Sequence, residues 1–348
     1  MSELEDVWLH RSGMLQVSTT PVQDAVLDEA VDAARELGVP DDAVPLDAAE
    51  VAERCRSPRF RRGVLFRDGA TVHPGRLVRA LRRAALAEGV RIHERSPALA
   101  LDEGGVVTRS GRVRAPAVVV ATNAWMSSWR PAAPRLTNFG SYVVLTEPVP
   151  ELLQRIGWTG GEAIFDGRMF LHYFRTTDDG RVLMGSGSGP IGFAGRVDAR
   201  FTADAPTAAR AESALRTLLP DLADARIEHA WGGPIDVSAD HLPYFGTVRG
   251  NVHFGAGYSG NGVGPSWLGG QILASLALGS KDEWSRLPLV ERKLRPLPPE
   301  PFRRIGGGLV RSAILTCEEA EDRDAPPPLA ARLGRALPGL LGLRIGTR

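Results

Sequence analysis

Residues 251–279 read NVHFGAGYSGNGVGPSWLGGQILASLALG, and glycine stands at Gly255, Gly257, Gly260, Gly262 and Gly264 between a short strand pattern and a helical one. Without Cβ atoms the backbone can turn tightly or lie flat against another group. A helix that begins after such a turn offers unpaired N–H groups and about half a positive charge. Its end therefore suits a phosphate, a carboxylate or the electron-rich carbonyl edge of a ring. Taken alone, the stretch is equally well an ordinary tight turn. A second kind of chemistry belongs to Arg175, in HYFRTT, whose guanidinium can grip a carboxylate bidentately if its strand carries it into a cleft; an inter-strand salt bridge is the plain alternative. Tyr142, Tyr173 and Tyr258 are the candidate pocket hydroxyls.

These groups need elements to hold them. Val252, Phe254 and Ala256 alternate as a strand does, Leu268, Ile272, Leu273 and Leu276 recur at helical spacing, and Gly279 is a plausible stop. Upstream, Val118–Trp125 reads VVVATNAW, and an unbroken β-branched run of this kind fits a strand of a parallel sheet buried on both faces. Before it lie a strand from Val7, a helix from Pro21 ended by Gly38, a short helix with Asp47 as its N-cap, and a strand from Gly63 to Phe66. A helix from Pro74 with a Leu77, Leu81, Ala84 stripe follows, closed by Gly89; then come a strand at Val90–His93 and a small meander with turns at DEGG and SGR. Between Arg130 and Gly246 the chain is β-rich, with one Ala-rich helix from Pro206 to Leu219. After Trp284 it is rich in proline and arginine, which reads as a surface tail with one amphipathic helix.

VVVATNAW and GAGYSGNGVGPSWLGGQILASLALG together resemble the D-amino-acid-oxidase-like superfamily of FAD-dependent oxidoreductases, from about His10 to about Ile305. The resemblance implies an α/β (α+β) fold: an incomplete FAD-binding Rossmann-like domain with a discontinuous β-rich substrate domain. On this view residues 1–67 and 129–247 form the substrate domain, 68–128 and 248–282 the FAD-binding domain, and 283–348 a C-terminal tail. It implies FAD contacts from the backbone of Ala98 at the adenine, from Ala121, Thr122, Asn123 and Trp125 beside the nucleotide, and from Gly260, Asn261, Gly262, Val263 and Gly264 at the flavin pyrimidine edge. Packing is the plain role for Trp125. The implied reaction is oxidation of a C–N bond in a small amine or amino acid, with Tyr142, Tyr173, Arg175 and Tyr258 as catalytic-site candidates.

The sequence departs from the family pattern in two places. The opening strand, G-x-G-x-x-G turn and helix that hold the pyrophosphate are absent, so the chain looks like an oxidase without its first strands. A start further upstream, or completion by another chain, is preferred over a decayed, flavin-free paralogue acting as a binding module, and weak FAD retention by these residues alone is expected. An NAD-linked dehydrogenase would need the same missing turn. In addition, glycine-oxidase-like members place a carboxylate-binding arginine four residues after a tryptophan, where this chain has Ile235 after Trp231.

Composition narrows the classes further. The 348 residues are 43% hydrophobic and 24% charged, ordinary values for a globular protein of about two domains. With 42 Lys+Arg against 41 Asp+Glu there is no electrostatic case for nucleic acid. No run approaches the roughly 18 apolar residues of a membrane span, and the acidic start MSELEDVWLH has no signal-peptide core, which points to the cytoplasm. Cys55 and Cys317 read as reduced thiols. His229, Asp236, Asp240 and His241 match no metal-ligand spacing, so no metal is expected; Asp240 reads as the cap of the turn before Pro243, and His73 and His253 as structural. The basic pairs Arg61/Arg62 and Arg82/Arg83 read as solvated faces.

Overall fold

A computed structural model describes residues 7–102, 105–340 and 342. The acidic opening through Asp6, the centre of the DEGG turn and the chain end beyond 342 lie outside the described residues.

The chain runs from strand β1 (Met14–Val17) through helix α1 (Pro21–Glu36), strand β2 (Ala43–Leu46) and helix α2 (Ala48–Arg54) to strand β3 (Gly63–Phe66). Local chemistry sets these ends. Asp47 accepts the amides of Ala49 and Glu50 at 2.8 and 2.9 Å while Glu50 accepts the Asp47 amide, a reciprocal cap. Helix α3 (Pro74–Ala87) is capped by His73, whose Nδ1 accepts the Arg76 amide at 3.4 Å. Its stripe is only half used, since Leu77 is buried and Leu81 is 51% exposed.

The segment Val90–His93 is irregular rather than a strand. Its Val90 and Ile92 are exposed, and no strand among the described residues lies beside it to complete a ladder. The meander β4 (Ala100–Asp102), β5 (Gly105–Thr108) and β6 (Gly111–Val113) follows and leads into β7 (Val118–Val120).

The β-rich part consists of β8 (Leu136–Thr146), α4 (Pro150–Ile156), β9 (Ala163–Asp166), β10 (His172–Thr176), β11 (Val182–Ser186), α5 (Ala205–Leu218) and β12 (Ile227–Ser238). Its strands join β1, β2 and β3 in one eight-stranded sheet of order β12-β8-β11-β10-β9-β1-β3-β2, so the unit is discontinuous in sequence. One face carries the main core, with Val144, Ile164, Phe174 and Met184 packed against Leu215 of α5 and Trp158. The other face, with Phe139, Ser141, Val143 and Leu145 of β8, floors a large cleft.

Strands β13 (Tyr244–Val248) and β14 (Val252–Ala256) precede helix α6 (Pro265–Leu278), which stops at Gly279 in a left-handed conformation. Strand β14 is antiparallel to β13 and parallel to β7, with Phe254 opposite Val120. The VVV run is buried on one face only. Val118 and Val120 pack with Met126, Tyr244 and Phe254, whereas Val119, paired with His253 on the opposite face of the sheet, is 44% exposed.

The expectation of a surface tail with one helix is overturned. Two helices, α7 (Phe302–Glu321) and α8 (Leu329–Leu340), occupy this region. Helix α7 docks through Val310 and Ile314 on Phe170, Arg311 donates to the Ser188 and Gly189 carbonyls, and Glu318 accepts the Met169 and Phe170 amides. The prolines of the two connections are mostly exposed, with Pro298 and Pro327 half-buried. Among the described residues no helix is long and apolar enough to cross a membrane.

Candidate functional site

The two glycine- and valine-rich stretches meet because β7 and β14 are parallel neighbours: both chains leave the sheet at its carboxyl edge, where open α/β sheets bind ligands. From β14 the backbone passes Gly257 and Gly260 at φ of +82° and +89°, values that a side chain would strain. Asp236, on β12 and 1% exposed, accepts the Gly257 amide, and its own carbonyl accepts the Ser259 amide at 2.9 Å. Ser259 Oγ closes the loop, donating to the Gly257 carbonyl at 3.0 Å. Burial pushes the Asp236 carboxyl up from its ordinary pKa, against the backbone amides that favour its charge. A buried acid of the eight-stranded sheet thus clamps the turn.

Beyond the clamp the Asn261 amide is taken by the Tyr258 carbonyl at 3.0 Å. The amides of Gly260, Gly262, Val263 and Gly264 meet no acceptor among the described residues, and a Cβ on Gly264 would enter open space. Gly260, Asn261 and Val263 border the cleft, whose volume is 970 Å³. Ala121, Thr122 and Asn123 are exposed at the end of β7, with Asn123 at φ +48°, and Trp125 is also exposed while its neighbours Ala124 and Met126 are buried. Ala98 lies in the exposed stretch before β4, apart from the cleft.

Of the hydroxyl candidates, only Tyr173 reaches the cleft. Its ring lies over Gly185, where a Cβ would come within 2.1 Å, and its hydroxyl shares a 2.7 Å hydrogen bond with Ser141. Burial raises its pKa, with the Ser141 bond acting the other way. Tyr142 alternates to the opposite face of β8, where it is 1% exposed beside Gly232 and Gly140 and burial pushes its hydroxyl up to about 12. Tyr258 turns under α6, edge-on to Phe245 at 6.2 Å.

A Cβ at Gly269 would sit 2.1 Å from the Tyr258 hydroxyl. Gly269→Ala is therefore expected to destabilise the fold by roughly 1–3 kcal/mol, the cost of overpacking. Adding Tyr258→Phe should recover part of that loss in calorimetric unfolding, and equal unfolding of the two variants would contradict the packing.

Arg175, on the same face of β10 as Tyr173, lines the cleft half-buried and has no hydrogen-bond or ion-pair partner among the described residues. Burial lowers its pKa, and the nearby Asp178 opposes that shift but is itself bound to His10 Nε2 at 2.7 Å. Arg303 also lines the cleft, yet its guanidinium is spent on the carbonyls of Ala133, Leu136 and Pro298. Ile235 occupies the floor beside the turn. Asp240 accepts the Leu242 amide at 3.2 Å and holds Arg292 as well. The clamp by Asp236 and the roof formed by α7 and α8 are missing from the sequence reading; the spacing from Asp236 to Gly257 carries no local signal, because the contact is tertiary.

A family model described as "DAO: FAD dependent oxidoreductase" matches residues 2–276. The chain is 31% identical over 280 residues to the probable oxidoreductase OrdL of Rhizobium meliloti, covering 78% of this chain and 60% of that protein. It is 28% identical over 251 residues to the gamma-glutamylputrescine oxidoreductase of Escherichia coli, covering 70% of this chain and 57% of that protein. This chain thus spans well under two thirds of the length of these relatives. Among solved structures, glycine oxidase from Geobacillus kaustophilus superposes with a TM-score of 0.69 at 21% identity, over 83% of this chain and 77% of that one. A modified fructosyl peptide oxidase from Aspergillus nidulans gives 0.68 at 16%, over 84% and 78%. These structural likenesses describe the fold.

Proposed function

The chain belongs to the DAO family of FAD dependent oxidoreductases, and from that premise we propose that it serves the oxidation of a C–N bond in a small amine or amino acid, in the cytoplasm. The observation that carries this reading is the pair of amides at Gly260 and Val263, without an acceptor among the described residues, on the rim of a cleft whose floor holds Tyr173 and Arg175.

The residues present fit the ring of a flavin. The amides of Gly260, Gly262, Val263 and Gly264 would hold an electron-rich pyrimidine edge, and Ala121, Thr122, Asn123 and Trp125 would flank the nucleotide at the carboxyl edge of β7. FAD supplies the two-electron acceptor when bound. The chain's own share is positional. Tyr173, fixed by Ser141, offers a positioned hydroxyl to the bound substrate beside Arg175, which binds a carboxylate, and the α7 layer excludes water from the carbon while it is oxidised. The amine binds neutral, and the resulting imine adds water to give a carbonyl and ammonia or a smaller amine. Relatives named for glycine and for gamma-glutamylputrescine bracket the size of substrate.

A second reading, a flavin-free binding module, draws on the phosphate end. Gly255, Gly257 and Gly260 have the G-x-G-x-x-G spacing, but Gly255 lies within β14, Asp236 already holds the Gly257 amide and the helix begins only at Pro265. This turn is thereby not free to cradle a pyrophosphate. Titrating the 348-residue chain with FAD, FMN and riboflavin, followed by flavin fluorescence, separates the two readings. The flavin reading expects all three to bind, with affinities within roughly tenfold, or about 1.4 kcal/mol, of each other, because the ring is what these residues grip. If none binds, the module reading stands.

A further inference from the structure

The cleft has two ends that lie too far apart to serve one amino-acid head group. The glycine turn sits over Ile235, since a Cβ on Gly260 would lie 3.6 Å from Ile235 Cδ1. Ile235 pairs with Phe139 near one end of β8, whereas Arg175 pairs with Leu183, which pairs with Leu145 near the other end. From Phe139 to Leu145 the strand rises roughly 20 Å at about 3.3 Å per residue. The strand β11 also separates Arg175 from β8, adding sideways distance.

The surface between these ends is apolar. Val143, Leu145 and Leu183 line it on the sheet side, and Phe302 and Val310 of α7 line the same cleft, Val310 packing beside Phe139. Helix α7 also carries Gly306 and Gly307 on the cleft side, and a Cβ on Gly306 would meet nothing within 4 Å. The roof thus leaves room above the floor where a side chain would fill it.

We infer that the substrate is an amine whose carboxylate is separated from the oxidised carbon by several methylene groups, with the carboxylate on Arg175 and the amine-bearing carbon near the glycine turn. This rests on the oxidase reading only for which end reacts. The carboxylate contact belongs to the chain itself. A half-buried guanidinium without a partner among the described residues, set at the end of an apolar channel, is completed by a carboxylate whose tail lies along that channel. An α-amino acid has its carboxylate one bond from the reacting carbon and cannot touch both ends.

The test is calorimetric titration of the chain, with and without saturating FAD, using glycine and the ω-aminocarboxylates aminobutanoate, aminohexanoate and aminooctanoate, each beside the alkylamine of equal length. Affinity is expected to rise along the series. The long aminocarboxylates should bind roughly tenfold to hundredfold tighter than their alkylamines, the worth of a hydrogen bond to a charged group. Arg175→Gln should erase that difference and Arg175→Lys should keep part of it. The inference is overturned if glycine binds as well as aminohexanoate, or if Arg175→Gln leaves the preference for a carboxylate intact. Failure of FAD to bind would sink the oxidase reading alone, since the length series in the FAD-free chain still decides this one.

Discussion

Replacing Asp236 with alanine is expected to weaken flavin binding by roughly tenfold to hundredfold, the largest loss anticipated for a residue that touches neither ring nor substrate. The carboxylate is buried and accepts the Gly257 amide, while its backbone carbonyl fixes Ser259. Removing it leaves a buried amide without a partner, at a cost of about 1–3 kcal/mol, and frees the residues that set the direction of the amides beyond Gly260. Asn is the informative comparison. Burial raises the Asp236 pKa, so its charge opposes folding at neutral pH, and that opposition is relieved as pH falls through the raised value toward the ordinary one. Asp236→Asn removes the charge and keeps one oxygen for Gly257. It is therefore expected to unfold at a denaturant concentration equal to or above that of the unmodified chain, with flavin affinity between those of the parent and Asp236→Ala. Flavin fluorescence and urea unfolding measure both. An alanine variant with unchanged affinity would show that the clamp does not set the turn.

Arg168→Ala should cost the most in stability, roughly 3–5 kcal/mol, because it leaves a buried charge without its partner. Asp166 is 1% exposed and bonds Arg168 Nε at 2.8 Å and His172 Nδ1 at 2.9 Å; Arg168 also pairs with Asp322 just after α7, beside buried Glu318. This network joins β9 and β10 to the helix that roofs the cleft. Urea unfolding is expected to shift by that amount, and limited trypsin digestion should cut within α7 first.

The same network sets an acid limit. Burial alone would raise the Asp166 pKa, but His172 and Arg168 overcome it and hold the carboxyl below its ordinary value. Its contribution is therefore complete above about pH 4 and is lost as pH falls through the lowered value. Glu318 runs the other way: burial raises its pKa, so the folded chain takes up that proton first and gains from it as pH falls toward the ordinary glutamate range. Stability should hold or rise slightly down to about pH 4 and fall below it, and Arg168→Ala should lessen the fall without removing it, because His172 still holds the Asp166 carboxylate. A parent chain that loses stability steadily from neutral pH would contradict this account.

Much of the local structure was legible because its cause is local. The cap at Asp47, the stop at Gly279, the strand at Gly63–Phe66 and the turn before α6 each follow from residues within a few positions of one another. The facing of β8 was not legible. Its residues at 138, 140, 142 and 144 are no more apolar than those at 139, 141, 143 and 145, so alternation could not say whether Tyr142 or Ser141 enters the cleft. Tyr258 misleads for a related reason: the turn that exposes Gly260 points Tyr258 back under α6.

The sequence by itself determined the family, the glycine turn, the β-branched strand that lies beside it and most of the helices, since spacing and residue type at short range decide these. Only the tertiary structure decided that Asp236 clamps the turn, that Arg175 stands without a partner among the described residues at the far end of an apolar channel, and that the proline-rich end folds back as its roof. Those features depend on side chains brought together from positions far apart in the chain, and the free energy of burying or pairing them exists only once the sheet has fixed which face each one occupies.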